Sequence, residues 1–521
     1  MDHSNIEAYI NHKIMSQLKA GAILNYVIIG LNTVVGLLYT PYMLRMMGQS
    51  EYGLYSLVAS VIAYLTVLDL GFGNAIIRYT AKFRAEGKQE EQYEMFGMFF
   101  VLYIGIGIIA FLAGLGLYYN VDKIFGDTMS AYELDRARIL MLILIFNLAI
   151  TFPMSIFSSV INAYERFVFP KTINIIRIIL NTVVMICLLK MGYKAIAMAV
   201  VQTIFNILTL IINYIYCKRE IQIKMYFRKF NWIFLKEVSI YSFWIFLNAI
   251  MDRVYWSTGQ FVLGAYVGTI SVAIFAVAIH LEAMYMQFST AISNVFLPKV
   301  TAMVTNGNDE KVISDLFIKT GRVQFVIMLL ILCGFIVFGK QFIILWAGAD
   351  YAEAYPITLL FFIALLIPLI QNLGITILQA RNQMKFRSLL YIVIAVIALL
   401  FQILLAKRWG GLGCAYAISG ALLLGQGLIM NIYYQKIQHI NILAFWMNII
   451  KMAIAPVIVT IVAYYIVSDY TEPSWMSLAI SIFSFCIVYL PITFIFSLNK
   501  YEKNLLLQPL NKLKKDKVKQ L

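Results

Sequence analysis

The sequence predicts an all-α integral membrane protein of about fourteen transmembrane helices, arranged as two six-helix pseudo-symmetric bundles around a central cavity plus two C-terminal helices. Three observations carry this. Of 521 residues, 62% are hydrophobic and only 13% charged, about half the roughly 25% charge of soluble domains. Apolar runs of about 20 residues, the length that crosses a bilayer as a helix, recur along the whole chain. The pattern of these runs is also duplicated, at an offset of 218–220 residues.

The fourteen runs fall near 18–45, 52–77, 95–119, 138–163, 171–190, 195–217, 237–260, 269–297, 323–340, 354–380, 388–406, 411–434, 446–468 and 475–497. The first, second and eighth are long enough to tilt or bend, as helices lining a cavity do. Gly48, Asn74, Gly87 and Glu90 recur as Gly268, Asn294, Gly307 and Glu310. Gly192, Ala197, Asn213, Tyr216 and Lys218 recur as Gly410, Ala415, Asn431, Tyr434 and Lys436. Each repeat holds six spans, an even number, so both face the same way and are related by an axis along the membrane normal. The expected organisation is therefore a first bundle over 1–217, a cytoplasmic linker over 218–236, a second bundle over 237–434, two extra helices over 435–497 and a basic cytoplasmic tail over 498–521. Prolines at Pro41, Pro153, Pro298 and Pro368 read as kinks.

The net charge of +15 would suggest nucleic acid in a soluble protein, but here it records orientation. Of 41 Lys and Arg, 30 lie in the N-terminal segment, the even-numbered loops and the tail, and 9 in the odd-numbered loops. This places both termini of a multi-pass membrane protein in the cytoplasm. The five cysteines are scattered, without CxxC or metal spacing, so neither a disulfide framework nor a zinc site is expected. No nucleophile–base constellation, ATP-binding glycine loop or metal motif is present, and no enzyme activity is expected. With parallel halves around a midplane site, the chain reads as an alternating-access transporter, and the internal charges become the candidates for what it carries.

Arg177 stands about six residues past Lys171, roughly 9 Å deep at 1.5 Å per residue. Arg78 closes the inner end of the second span, and Arg253 lies in the outer part of the seventh. Arginine stays charged and offers a planar fork matching phosphate oxygens, so these three are the candidate substrate-diphosphate ligands. Against that stand snorkelling for Arg78 and a structural role for Arg253 beside Asp252. Among acids, Glu282, Asp69 and Asp252 lie within spans, where a carboxylate can relay a proton or bind a sodium ion. Glu282, near mid-span, is the leading ion-coupling candidate. Asp69 precedes Gly71-Phe72-Gly73 and has the alternative of satisfying backbone amides freed where the helix bends, and its duplicate is Ser289.

The stretches YTPYMLRMMGQSEYGLYSL, LDLGFGNAIIRYTAKFRAEG and FVLGAYVGTISVAIFAVA resemble the start and middle of Wzx-type lipid-linked oligosaccharide flippases. These form the polysaccharide-transporter branch of the superfamily of multidrug, oligosaccharidyl-lipid and polysaccharide exporters. The likeness extends over the whole chain in span count, duplication and topology, while its motifs are loose. It implies translocation of an undecaprenyl-diphosphate-linked oligosaccharide from the inner to the outer leaflet of a bacterial plasma membrane, for O-antigen, capsule or exopolysaccharide. No cofactor is implied beyond H+ or Na+ as coupling ion. The implied partners are that lipid-linked substrate, membrane lipids, and the polysaccharide polymerase with its chain-length machinery, around a protein acting as a monomer. Two alternatives are carried forward: a cation-coupled multidrug exporter of the same superfamily, and a membrane polysaccharide polymerase or ligase. The second alternative requires a sizeable external loop, and the longest here, about Asn120 to Ala137, is short.

Overall fold

The computed structural model describes residues 3–228, 230–305, 309–381, 383–467, 474–504 and 507. Gly307 of the duplicated set and nearly all of the basic tail lie outside the described residues. Among the described residues there is no strand.

The first half runs α1 (His3–Met47), α2 (Gln49–Leu65), α3 (Phe72–Ala85), α4 (Gln89–Tyr119), α5 (Val121–Phe125), α6 (Ala131–Ala163), α7 (Val168–Lys190) and α8 (Ala195–Tyr216). A π-helical turn at Cys217–Ile221 and an extended stretch lead to α9 (Trp232–Trp256), α10 (Thr258–Tyr266) and α11 (Thr269–Thr305). Then follow α12 (Glu310–Trp346), α13 (Ala354–Ile370), α14 (Leu373–Ala380), α15 (Lys385–Leu422), a π-helical run over Leu423–Ile429, α16 (Met430–Lys436), α17 (Ile442–Val467) and α18 (Trp475–Phe496). By contact the chain groups into two compact units, Met1–Ala276 and Val277–Leu521, which divide within α11 rather than in the 218–236 stretch.

By length and composition eleven described helices can cross a bilayer, or twelve if α13 and α14, bent by 41°, form one span. The anticipated fourteen is not reached on this test. The helical run Lys385–Lys436 counts once, yet Gly410 interrupts it at φ 53°, ψ −132°. Outward faces of the long helices are apolar at helical spacing, as with exposed Ile450, Ile454, Ile458 and Ile461 on α17. Such faces would aggregate in water and belong against lipid tails.

The duplicated glycines stand where the backbone needs them. Gly48 and Gly268 have φ 79° and 120°, and Gly192 and Gly410 have φ 88° and 53°, the left-handed region that only glycine enters at little strain. Each begins a new helix or marks the turn between two. The polar link from Asp69 to Tyr103 on α4 also has a counterpart. Ser289, at the duplicated position of Asp69, accepts from Gln324 Nε2 of α12 at 3.1 Å and donates to the Leu369 carbonyl at 2.7 Å.

A buried ion pair fixes the exit of the last helices. Arg322 of α12 meets Glu502 through Nε–Oε1 at 2.5 Å and Nη2–Oε2 at 2.9 Å. The same guanidinium reaches Asn448 Oδ1 of α17 and the Ser497 carbonyl after α18, at 3.2 and 3.3 Å. Arg322 is 7% and Glu502 3% exposed, so either charge alone would be buried and uncompensated. Glu502→Ala is expected to destabilise by about 3–5 kcal/mol, seen as a lowered melting temperature in detergent. The double variant Arg322→Met with Glu502→Leu is expected to recover most of it.

Candidate substrate and coupling residues and the helix seal

The second span is broken where the sequence places an acid before a glycine pair. After α2 the chain tightens into a 3-10 turn at Thr66–Asp69, then takes left-handed conformations at Leu70 and Gly71 (φ 54° and 73°) before α3 begins. Backbone amides lose their intrahelical partners at such a break, and in lipid they need internal ones. Asp69 supplies them: its carboxylate accepts from the backbone N–H groups of Gly71 and Gly73 and from Tyr103 Oη of α4 at 2.8 Å. Tyr103 also bonds Ser155 of α6. Gly73 runs close to that helix, where an added Cβ would stand 3.3 Å from Ser159 Oγ. This geometry is that of a carboxylate holding a bend, the second of the two roles open to it in the sequence.

Arg78 stands one turn and a half farther along α3. It is exposed, with its guanidinium 5.8 Å from the Tyr79 ring centroid. Tyr79 itself is buried, donates to Glu237 Oε1 of α9 at 3.0 Å and meets Phe234 edge-on at 4.9 Å. Arg253 and Asp252 are both exposed and lie in the last turn of α9.

Arg177 has a different setting. Lys171, Asn174, Arg177 and Asn181 recur every three or four residues and so share one face of α7, an otherwise apolar helix. Lys171 Nζ reaches Asn25 Oδ1 of α1 at 2.7 Å, and Arg177 Nη2 reaches Asn174 Oδ1 at 2.8 Å. Arg177 is half-buried, and among the described residues no carboxylate lies within ion-pair distance of it. Asn181 Oδ1 is buried without a hydrogen-bond partner. A stripe of amide and guanidinium donors without a counter-acid can receive an anion.

Glu282 lies on α11 and is 1% exposed, with one carboxylate oxygen lacking a hydrogen-bond partner. Ser289 and Ser293 follow it at near-helical spacing, both bonded to Gln324 Nε2, at 3.1 and 2.7 Å. His280 stacks on Trp346 of α12 at 6.2 Å, its Nε2 also buried and unpartnered. No group of three or more His, Cys, Asp or Glu able to hold a metal ion occurs among the described residues.

Sequence reasoning missed the seal at the Gly48 end of α2. There α2 meets α10 and the first turns of α11 backbone to backbone: a Cβ on Gly53 would fall 1.9 Å from the Thr269 carbonyl oxygen and 3.3 Å from Ala273 Cβ. Gly53 and Ala273 are 220 residues apart, at equivalent positions of the duplicated pattern, and both lie in the first compact unit. Glu133 laces the seal. Its Oε1 accepts from Ser50 and Thr269 hydroxyls at 2.6 and 2.7 Å, while Oε2 takes the Ser130 amide and hydroxyl, both at 2.9 Å. The Ser130-x-x-Glu133 spacing was legible as a capping box, but its reach to two other helices was not. Farther down, Leu57 packs on Gly264 and Tyr64 bonds Thr258.

Solved structures with this arrangement of helices are transporters. The chain superposes on a structure titled lipid II flippase MurJ, inward closed conformation, with a TM-score of 0.71 and 19% identity over 91% of this chain and 98% of that one. It matches an inward-facing multidrug resistance MATE family transporter of the MOP superfamily at 0.60 and 13%, over 78% and 96%. A MOP superfamily transporter from Pyrococcus furiosus matches at 0.55 and 13%, over 81% and 96%. At these identities the likeness defines the fold: a multi-pass membrane protein with the MOP-superfamily transporter fold. The family model described as polysaccharide biosynthesis protein matches residues 18–304, and the chain belongs to that family. The titles of the matched structures name a flippase and transporters. A comparison with curated proteins finds no match.

The close approach at Gly53 yields a direct test. In a chain otherwise free of cysteine, Ser50→Cys and Thr269→Cys are expected to cross-link readily, since their hydroxyls share one carboxylate oxygen. Adding Gly53→Val is expected to reduce the cross-linked fraction severalfold, read on a denaturing gel. Unchanged cross-linking would show that the two helices do not depend on that contact.

Proposed function

We propose that the chain is a flippase that moves an undecaprenyl-diphosphate-linked oligosaccharide from the cytoplasmic to the outer leaflet of a bacterial plasma membrane, by alternating access, for cell-surface polysaccharide synthesis. The observation that carries this reading is Arg177, half-buried on the polar stripe of α7 with donors beside it and no acid to neutralise it. A charge kept unpaired within a membrane helix is costly, and a functional anion offsets that cost. Phosphate oxygens suit the guanidinium fork, while the prenyl tail can remain in lipid. Family membership supports the polysaccharide pathway, and the fold supports transport.

Arg78 and Arg253 remain candidate diphosphate ligands on this reading, with Arg177 first among the three. The multidrug-exporter alternative shares the fold, but an unpaired arginine stripe suits an anionic substrate better than the cationic or neutral compounds such exporters expel. With both termini cytoplasmic, as the charge pattern indicates, the Gly53–Thr269 seal lies on the outer side. The polymerase and chain-length machinery would take the substrate afterwards, and the protein would act as a monomer.

Coupling to H+ or Na+ is assigned to Glu282, the buried carboxylate with an unpartnered oxygen. Asp69 serves the bend, and Asp252 is exposed.

Arg177→Ala is expected to remove a charge-assisted contact of about 1.5–3 kcal/mol, weakening substrate engagement roughly ten- to hundredfold. Undecaprenyl-linked oligosaccharide should accumulate on the cytoplasmic face while the protein level in the membrane is unchanged. Wild-type flipping in this variant would refute the role. Glu282→Gln is expected to leave the protein folded but to abolish the dependence of flipping on a proton or sodium gradient in proteoliposomes. An unaltered gradient dependence would move the coupling site elsewhere.

A further inference from the structure

Where α6, α7 and α8 come together beside the Gly192 turn, a cavity of about 610 Å3 opens, and none of the candidate residues above lines it. Arg136, Lys194, Tyr132 and Tyr193 supply its polar lining, Leu188 and Val200 are among its aliphatic walls, and no carboxylate lines it. Arg136 is already oriented. Its Nη2 donates to Glu51 Oε2 at 3.1 Å, its Nε lies 2.8 Å from Oε1 without hydrogen-bond alignment, and its guanidinium lies 5.3 Å over the Tyr132 ring. Glu51 is 6% exposed and also accepts from the Ala195 amide at 3.4 Å, so it stands behind the arginine rather than in the cavity. That pairing uses Nη2 and leaves Nη1 of Arg136 out of the contact with Glu51, and Lys194 adds a cation with no acid lining the cavity to offset it.

These features define a ligand. Its polar part must be anionic, with acceptor oxygens to meet a guanidinium, an ammonium and the Tyr193 phenol, the Tyr132 hydroxyl being turned to Glu51 Oε1 at 3.4 Å. Its other part must be apolar, because the remaining walls are aliphatic. The volume lies in the range of sites that hold small molecules, roughly 300–1,000 Å3, and exposed tyrosines at a helix end are typical of the headgroup level of a bilayer. We propose that this cavity binds the phosphate or diphosphate headgroup of a membrane lipid. An ordinary anionic phospholipid and a polyprenyl diphosphate share that chemistry, so the site does not depend on the flippase reading.

The test uses full-length protein purified in uncharged detergent and carrying Arg177→Ala, so that the candidate transport site does not contribute. Native mass spectrometry follows titration with phosphatidylglycerol, with undecaprenyl diphosphate and with an uncharged diacylglycerol glycolipid. At least one phosphate lipid is expected to be retained about tenfold over the glycolipid. Lys194→Glu is expected to reduce that retention roughly tenfold, the loss of one charge-assisted hydrogen bond. Val200→Trp, which fills the cavity without changing charge, should reduce it as well, and unchanged melting temperatures would show both variants folded. A response to both phosphate lipids marks a general headgroup site, and a response to undecaprenyl diphosphate alone marks one for substrate-class lipid. Equal retention of the glycolipid, or wild-type retention in both variants, would overturn the proposal.

Discussion

Within a hydrocarbon slab a backbone amide that leaves its helix finds no water, and this constraint shapes the second span. The chain breaks at Leu70 and Gly71 because two successive left-handed residues cannot continue a right-handed helix. The amides released there turn to Asp69, which also holds Tyr103 of α4. One carboxylate thus stabilises a bend and ties it to neighbouring helices. In the second repeat α11 runs unbroken through the equivalent position, and Ser289 needs only a hydroxyl to bond Gln324 and the Leu369 carbonyl. The difference in side chain follows from the difference in backbone.

Buried charge is handled in two ways, and the contrast separates architecture from candidate function. Arg322 meets Glu502 fork to carboxylate, Arg136 holds Glu51 through one hydrogen bond and a close ion pair, and both pairs are further bonded to backbone or amide groups. Such pairs fix geometry, since removing either member strands the other. Arg177 and Glu282 are handled otherwise. The arginine has amide neighbours but no acid, and the glutamate has an oxygen with no donor. Groups left in that condition within a membrane protein are where substrates and coupling ions are to be sought. The seal between α2 and α11 depends on a third device, a glycine that lets two backbones touch. Its two sides are duplicated positions within the first compact unit.

The sequence alone determined the membrane class, the helical content, the duplication and the positions of most helices, because bilayer thickness and glycine stereochemistry act on local sequence. It placed Asp69, Arg177, Asp252, Arg253 and Glu282 within spans but left Glu51, Arg136, Arg322 and Glu502 just outside them, and it exposed the broken span, since an acid before two glycines is a local signal. It could not say which charges are paired. Arg322 and Glu502 are 180 residues apart, and nothing near either residue points to the other. Glu51 and Arg136 pair across 85 residues in the same silent way. The seal was equally hidden: Gly53 reads as one more glycine in an apolar run until the Thr269 carbonyl is found where its Cβ would stand. Local rules decide which segments enter the membrane, but which side chains meet there depends on packing between helices distant in sequence. Only the tertiary structure decided that Asp69 accepts from the amides at a bend, that Arg253 lies exposed at a helix end, and that, among the described residues, Arg177 and Glu282 have no counter-charge within ion-pair distance.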